Sequence, residues 1–235
     1  PAIEQMLYEG INVNITLLFS VQNYQAVAEA YLKALKRRSE EGKPVDTIAS
    51  VASFFLSRID VLTDQLLGHR IRSRPAGDEL PAPQRLFGAF AIASARLAYQ
   101  HFKQIIASPR WKALEKKGAR PQRLLWASTS TKSPLYSDVY YVEPLIGPET
   151  VNTMPDETIE AFADHGKILQ NSVQWDIEES HDVLASLIKL GINPEHVTQQ
   201  LQDEGVAKFI EPFDKMMQAL AEKRERILGR TLNRQ

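Results

Sequence analysis

Three polar side chains alternate along one short run near the start of the sequence. Asn12, Asn14 and Thr16 share one face of an extended strand there, and Val13, Ile15 and Leu17 share the other. Two readings are open. A half-exposed antiparallel strand would turn the polar side to water. If the groups are buried, each needs a hydrogen-bond partner, because an unsatisfied amide or hydroxyl costs about 1–3 kcal/mol. In that case Asn14 and Thr16 could hold a substrate hydroxyl and a water. A second group is Ser53 and Phe55, with Arg58 just beyond them. An arginine at the C-terminal end of a strand suits a phosphate or carboxylate, which its fork binds bidentately. Pairing with nearby Asp60 is the plainer alternative. A third group is Ser128-Thr-Ser-Thr-Lys132, hydroxyls and one lysine after another apolar run. It could hold phosphate, or Lys132 could form a Schiff base if burial lowered its pKa. A solvated polar loop is the bland reading of Ser130 and Thr131.

These groups need elements to position them. The first ten residues read as a helix with proline in its first turn and a stop at Gly10. The strand at 12–19 is followed by a helix at 22–38, with Val27, Ala30, Tyr31, Ala34 and Leu35 at helical spacing. The run TIASVASFFL at 47–56 suits a strand buried on both faces. A short helix at 61–67 leads into a Pro-, Gly- and charge-rich excursion at 70–83. An alanine-rich helix is expected at 86–107, a second helix at 108–118 and a third strand at 123–128. Val139 to Val142 reads as a fourth strand, and 150–154 as a loop. Helices follow from Pro155 to about His165, then behind a capping box of Asp176 and Glu179. Asn193-Pro194 opens the next helix, and a last one at 206–228 carries Phe209, Phe213, Met216, Met217 and Leu220 as core packing. Strands alternating with helices predict an α/β fold with a parallel sheet. A barrel is favoured, since the polar face of the first strand could point inward toward a catalytic end.

Composition narrows the partners. The 235 residues hold 28 basic and 29 acidic side chains without a basic stripe, which argues against nucleic acid. No apolar run approaches a membrane span. There is no cysteine, which excludes disulfides and thiolate chemistry and fits the cytoplasm. Neither G-x-G-x-x-G nor a Walker motif is present. His69, His101, His165, His181 and His196 lack ligand spacing, so no metal and no cofactor is expected, and they read as surface or helix-end residues.

The segment Gly10-Ile-Asn-Val-Asn-Ile-Thr-Leu-Leu-Phe-Ser20 resembles the fifth-strand segment of transaldolases, and Ser50-Val-Ala-Ser-Phe-Phe-Leu-Ser-Arg58 resembles their sixth. LWASTSTKSP at 125–134 and TVNTMP at 150–155 resemble the seventh-strand loop and the region after the eighth in the longer bacterial subgroup. The resemblance implies a (β/α)8 TIM barrel of the class I aldolase type. Residues 1–235 would then be the C-terminal part of one barrel domain, its fifth to eighth β/α units plus C-terminal helices. It implies Schiff-base transfer of a dihydroxyacetone unit from a ketose phosphate to an aldose phosphate in the pentose phosphate pathway. Sugar phosphates would be the partners, and a homo-oligomer is allowed. Asn14 resembles the family's substrate-contacting asparagine, and Thr16 the threonine that holds the catalytic water. Ser53 and Phe55 resemble pocket residues, Arg58 the phosphate-binding arginine and Lys132 a second phosphate ligand. The family's Schiff-base lysine, first-strand aspartate and third-strand glutamate would all lie ahead of Pro1. The expectation is therefore a fragment that is inactive alone. The alternatives are a non-catalytic phosphosugar-binding or assembly protein, and a Schiff-base aldolase using Lys132.

Overall fold

A computed structural model describes residues 1–73 and 83–232. Most of the excursion expected at 70–83 lies outside the described residues. Four strands, β1 (Val13–Leu18), β2 (Ser50–Phe55), β3 (Arg123–Ala127) and β4 (Thr150–Asn152), form one parallel sheet in chain order. The helices before β3 are α1 (Ala2–Glu9), α2 (Val21–Glu40), α3 (Ser57–Arg72), α4 (Ala89–Ala107) and α5 (Pro109–Glu115). After β4 come α6 (Asp156–His165), α7 (Ile177–Lys189) and α8 (Pro194–Leu232).

The strand register sorts the side chains onto two faces. Ile15, Phe54, Leu124 and Trp126 turn to the helices and join a core with Tyr24 and Val27 of α2 and Phe90, Ala91 and Ala98 of α4. The small residues of α4 are buried as its sequence predicts, which lets that helix lie close to its neighbours. A second cluster around Leu7, Leu35 and Trp111 ties α1, α2 and α5 together. Gly10 ends α1 at φ 100°, a conformation that suits glycine.

In β1 the pairing with β2 shifts between Ile15 and Leu18, where Leu17 takes φ 61°. Helix α8 crosses beside this bulge. A Cβ on Gly205 would come within 3.1 Å of a Leu17 methyl, so glycine permits the approach.

Several local expectations are corrected. Residues 139–142 are not a strand. Val142 N–H donates to Val139 at 2.9 Å and Tyr140 N–H to Ser137 at 3.0 Å, closing tight turns. The apolar side chains that mimic a strand there are buried by packing instead, and the fourth strand is the three-residue Thr150–Asn152 that reads as a loop in the sequence. Helix α3 begins at Ser57, so Arg58 and Asp60 lie in its first turn rather than ahead of it. Asp176 has φ 51° and makes no side-chain cap, its carboxylate pairing with Arg96 at 3.3 Å. Asn193 does cap α8, accepting from Glu195 N–H at 2.8 Å. Residues 206–228 belong to that same continuous helix, with Pro212 inside it. The stripe expected in the core is exposed instead, with Phe209 at 63% and Phe213 at 57%, because α8 runs on past the layer it packs against. His101 is part-buried in the middle of α4, 3.2 Å from Gln25, rather than at a helix end.

Trp126 joins the two sides of this packing. It is buried, lies edge-on to Phe54, and donates from its indole to the Leu145 carbonyl at 3.0 Å. Trp126→Ala leaves a cavity and an unpaired carbonyl, and is expected to cost about 3–5 kcal/mol of unfolding free energy in urea.

Candidate functional site

The opposite face of the sheet carries the polar groups. Pairing sets Asn14 beside Val51, and Ser53 beside Leu125. Asn14 and Thr16 are exposed on this face, while Ser53 is buried. The Ser53 hydroxyl donates to Asn14 Oδ1 at 2.6 Å, tying β1 to β2. That bond uses one amide oxygen lone pair and leaves the Asn14 amide N–H groups free to donate outward. Asn12 stands apart, as its Oδ1 accepts from Ala49 N–H at 2.8 Å before the strand begins. It serves the entry to the sheet and not the site.

Phe55 closes the C-terminal end of β2. Its ring packs on Phe19 at 5.5 Å, and the Arg58 guanidinium lies 5.2 Å from its centre. Arg58 is exposed, and among the described residues no carboxylate lies within ion-pair distance of it. Asp60, its expected partner, is buried and bonded elsewhere. Arg58 therefore stands as an uncompensated cation in the first turn of α3, where the helix dipole also favours an anion.

The chain after β3 is stitched to this helix. Ser57 N–H donates to the Ser128 carbonyl at 3.0 Å, and the two hydroxyls are 2.8 Å apart. Ser128 takes φ 55°, which turns the chain outward into the loop. Lys132 is exposed on that loop and donates to the Ser130 hydroxyl. Its exposure denies it the buried setting that the Schiff-base alternative would need. The geometry thus brings Asn14 to Ser53 and Phe55 to Arg58. Lys132 touches none of these side chains, and its loop joins helix α3 at its start through the Ser57–Ser128 link.

A cleft of about 430 Å³ opens at the other end of the strands, lined by Asn12, Ala49, Arg120, Arg123 and Glu149 and reaching Asn14. Parallel α/β sheets bind ligands at the carboxyl ends of their strands, so the groups around Arg58 are the stronger candidate. Among the described residues, no cluster of histidine and carboxylate is placed to hold a metal ion, and no helix is long and apolar enough to cross a membrane.

The model of one family, described as transaldolase/fructose-6-phosphate aldolase, matches residues 1–220. The chain belongs to this family. It is 49% identical over 225 residues to a transaldolase of Trichodesmium erythraeum, a match covering 95% of this chain and 59% of that protein. It is 48% identical to transaldolase 2 of Nostoc sp., covering 94% and 58%, and 41% identical to a transaldolase of Frankia alni, covering 98% and 59%. The chain thus spans less than two thirds of the length of these curated relatives.

In this transaldolase-family sheet, sequence reasoning missed a group of residues behind the site. Asp60 is 1% exposed, accepting from Ala91 N–H at 2.8 Å and from the Tyr141 hydroxyl at 3.0 Å. One turn on, Asp64 accepts from Gly88 N–H at 3.0 Å and from the Tyr136 hydroxyl at 2.6 Å. The available signal was two aspartates at i, i+4 on an otherwise apolar helix face. Burial pushes the Asp60 carboxyl up to about 7, the Asp64 charge adds to that, and the Ala91 and Tyr141 bonds oppose it. Asp64 is raised as well, chiefly by burial. Burial, then the two carboxylates, push the Tyr140 hydroxyl up to about 12.

The folded state consequently holds the Asp60 proton more tightly than the unfolded chain does. Its contribution to stability is full below about pH 4 and is lost as pH rises to about 7, at up to about 1.4 kcal/mol per pH unit. In urea titrations across that window, the unfolding free energy of wild type should fall relative to that of Asp60→Asn as pH rises. Parallel curves would contradict the assignment.

Proposed function

We propose that this chain is the C-terminal part of a single (β/α)8 barrel domain, its fifth to eighth β/α units plus the C-terminal helices. Its function would be transaldolase chemistry, the transfer of a dihydroxyacetone unit between sugar phosphates in the pentose phosphate pathway of the cytoplasm. The strand order supports the barrel, because four parallel strands follow one another without the order reversal of a doubly wound sheet. The observation that carries the functional reading is the Ser53–Asn14 bond on the open face of the sheet, with Phe55 and the unpaired Arg58 at its C-terminal edge. In this reading Asn14 donates to a substrate hydroxyl, and Ser53 fixes the side chain that does so. Thr16, exposed on the same face, holds the water that hydrates and releases the Schiff base. Phe55 walls the pocket, Arg58 binds the phosphate bidentately, and Lys132 adds a second positive charge.

The nucleophile is a separate matter. A Schiff-base lysine needs its ammonium deprotonated, and burial is the usual means. Every lysine of the sequence is exposed. We therefore assign the covalent step to a lysine in the part of the family domain that these residues do not include, with this chain binding and orienting the substrate. The exposure of the lysines also favours the second reading, in which the chain alone is a non-catalytic phosphosugar binder. Assembly with further copies is compatible with either.

Calorimetry with fructose 6-phosphate tests the site. Arg58→Ala should weaken binding about tenfold or more, the loss of a charge-assisted hydrogen-bond pair. Unchanged affinity would remove Arg58 from the phosphate role. Borohydride reduction of the chain with fructose 6-phosphate should leave it unlabelled, and an adduct at Lys132 would overturn the assignment of the nucleophile.

A further inference from the structure

Arg58 and Lys132 reach the candidate site from different parts of the chain, and something must fix one relative to the other. The loop after β3 is pinned at its start by Ser57 and Ser128. Its far end, at 136–141, is held by the two aspartates of α3. Each carboxylate accepts one backbone N–H from the start of α4 and one tyrosine hydroxyl from the loop. Gly88, the cap of α4, has no capping side chain of its own, so the aspartates cap that helix from outside. The three tyrosines make a continuous wall. Tyr136 stacks on Tyr140 at 4.8 Å, Tyr140 meets Tyr141 edge-on at 5.1 Å, and the Tyr140 hydroxyl donates to the Gly88 carbonyl at 3.1 Å. Gly88 has φ 71°, and a Cβ there would come 2.8 Å from the Tyr136 ring, so the wall requires glycine.

We propose that Asp60 and Asp64 are positioning residues, a two-carboxylate clamp that holds the loop carrying Lys132 against the helix carrying Arg58. The use of this clamp in binding rests on the phosphate reading given above. Two carboxylates one helical turn apart repel each other and lose hydration on burial. Apolar residues of similar size would avoid that repulsion and desolvation, but would leave the Gly88 and Ala91 N–H groups and both phenols without these acceptors. What the carboxylates supply is direction. A carboxylate with an N–H on one oxygen and a phenol on the other accepts a single arrangement of helix and loop. Thr131 extends that order into the loop, donating to the Ser137 carbonyl at 2.7 Å. A loop ordered beforehand adds no ordering cost when a ligand arrives.

Hydrogen exchange of the whole chain tests the clamp, using Tyr136→Phe, Tyr141→Phe and the double variant, which keep the rings and their packing. In the double variant, exchange in 129–142 should accelerate about tenfold or more while β2 and β3 keep their wild-type protection. Affinity for fructose 6-phosphate should fall several-fold in step. Unchanged exchange at 129–142 would overturn the clamp, as would equal acceleration throughout the sheet, which would mark a purely structural role. If the wild-type chain does not bind fructose 6-phosphate, the phosphate reading fails, and the exchange result alone still decides for or against the clamp.

Discussion

The parallel pairing of β1, β2 and β3, continuous in β1 up to the bulge at Leu17, is the constraint on which the rest of the molecule depends. Because side chains alternate along a strand, one register assigns every residue to a face. Ile15, Phe54 and Trp126 go to the helices, and Asn14, Ser53 and Phe55 go to the open side. A slip of one residue would bury Asn14 and expose Trp126. Helix burial on one face therefore enforces the polar arrangement on the other. The Ser53–Asn14 bond reads out this register. Family membership over residues 1–220 fits a sheet built this way.

Behind the sheet the same economy is absent. The α3–α4–loop junction is held by buried and half-buried carboxylates and phenols, groups that cost free energy on burial unless satisfied. Both oxygens of Asp60 and both of Asp64 have donors. The arrangement is specific because it is polar, and it lies directly beneath the loop that completes the candidate site.

The strands that matter for the site were legible in the sequence, since Asn14, Thr16 and Ser53 alternate with apolar residues and alternation is a local property. Arg58 was legible as a cation at a strand end, although its helix begins earlier than its apolar spacing suggests. The segment at 139–142 was not legible. Val and Tyr both have strand character, but here they pack through tight turns whose shape is set by distant partners. Tyr141 bonds to Asp60 across 81 positions of sequence, which no local pattern carries. The stripe on α8 was misread for a related reason. Helical spacing of Phe209, Phe213 and Met216 shows that a helix has an apolar face, but not that anything covers it.

The central claim is that ligand binds at the C-terminal ends of the strands, over Asn14, Ser53 and Arg58. Titration of the ¹⁵N-labelled chain with fructose 6-phosphate tests it most directly, with amide shifts read residue by residue. The account predicts shifts concentrated at Asn14–Leu17, Ser53–Ile59 and the loop at 128–133. Shifts confined to the opposite end, at Asn12, Ala49, Arg120 and Arg123, would contradict it.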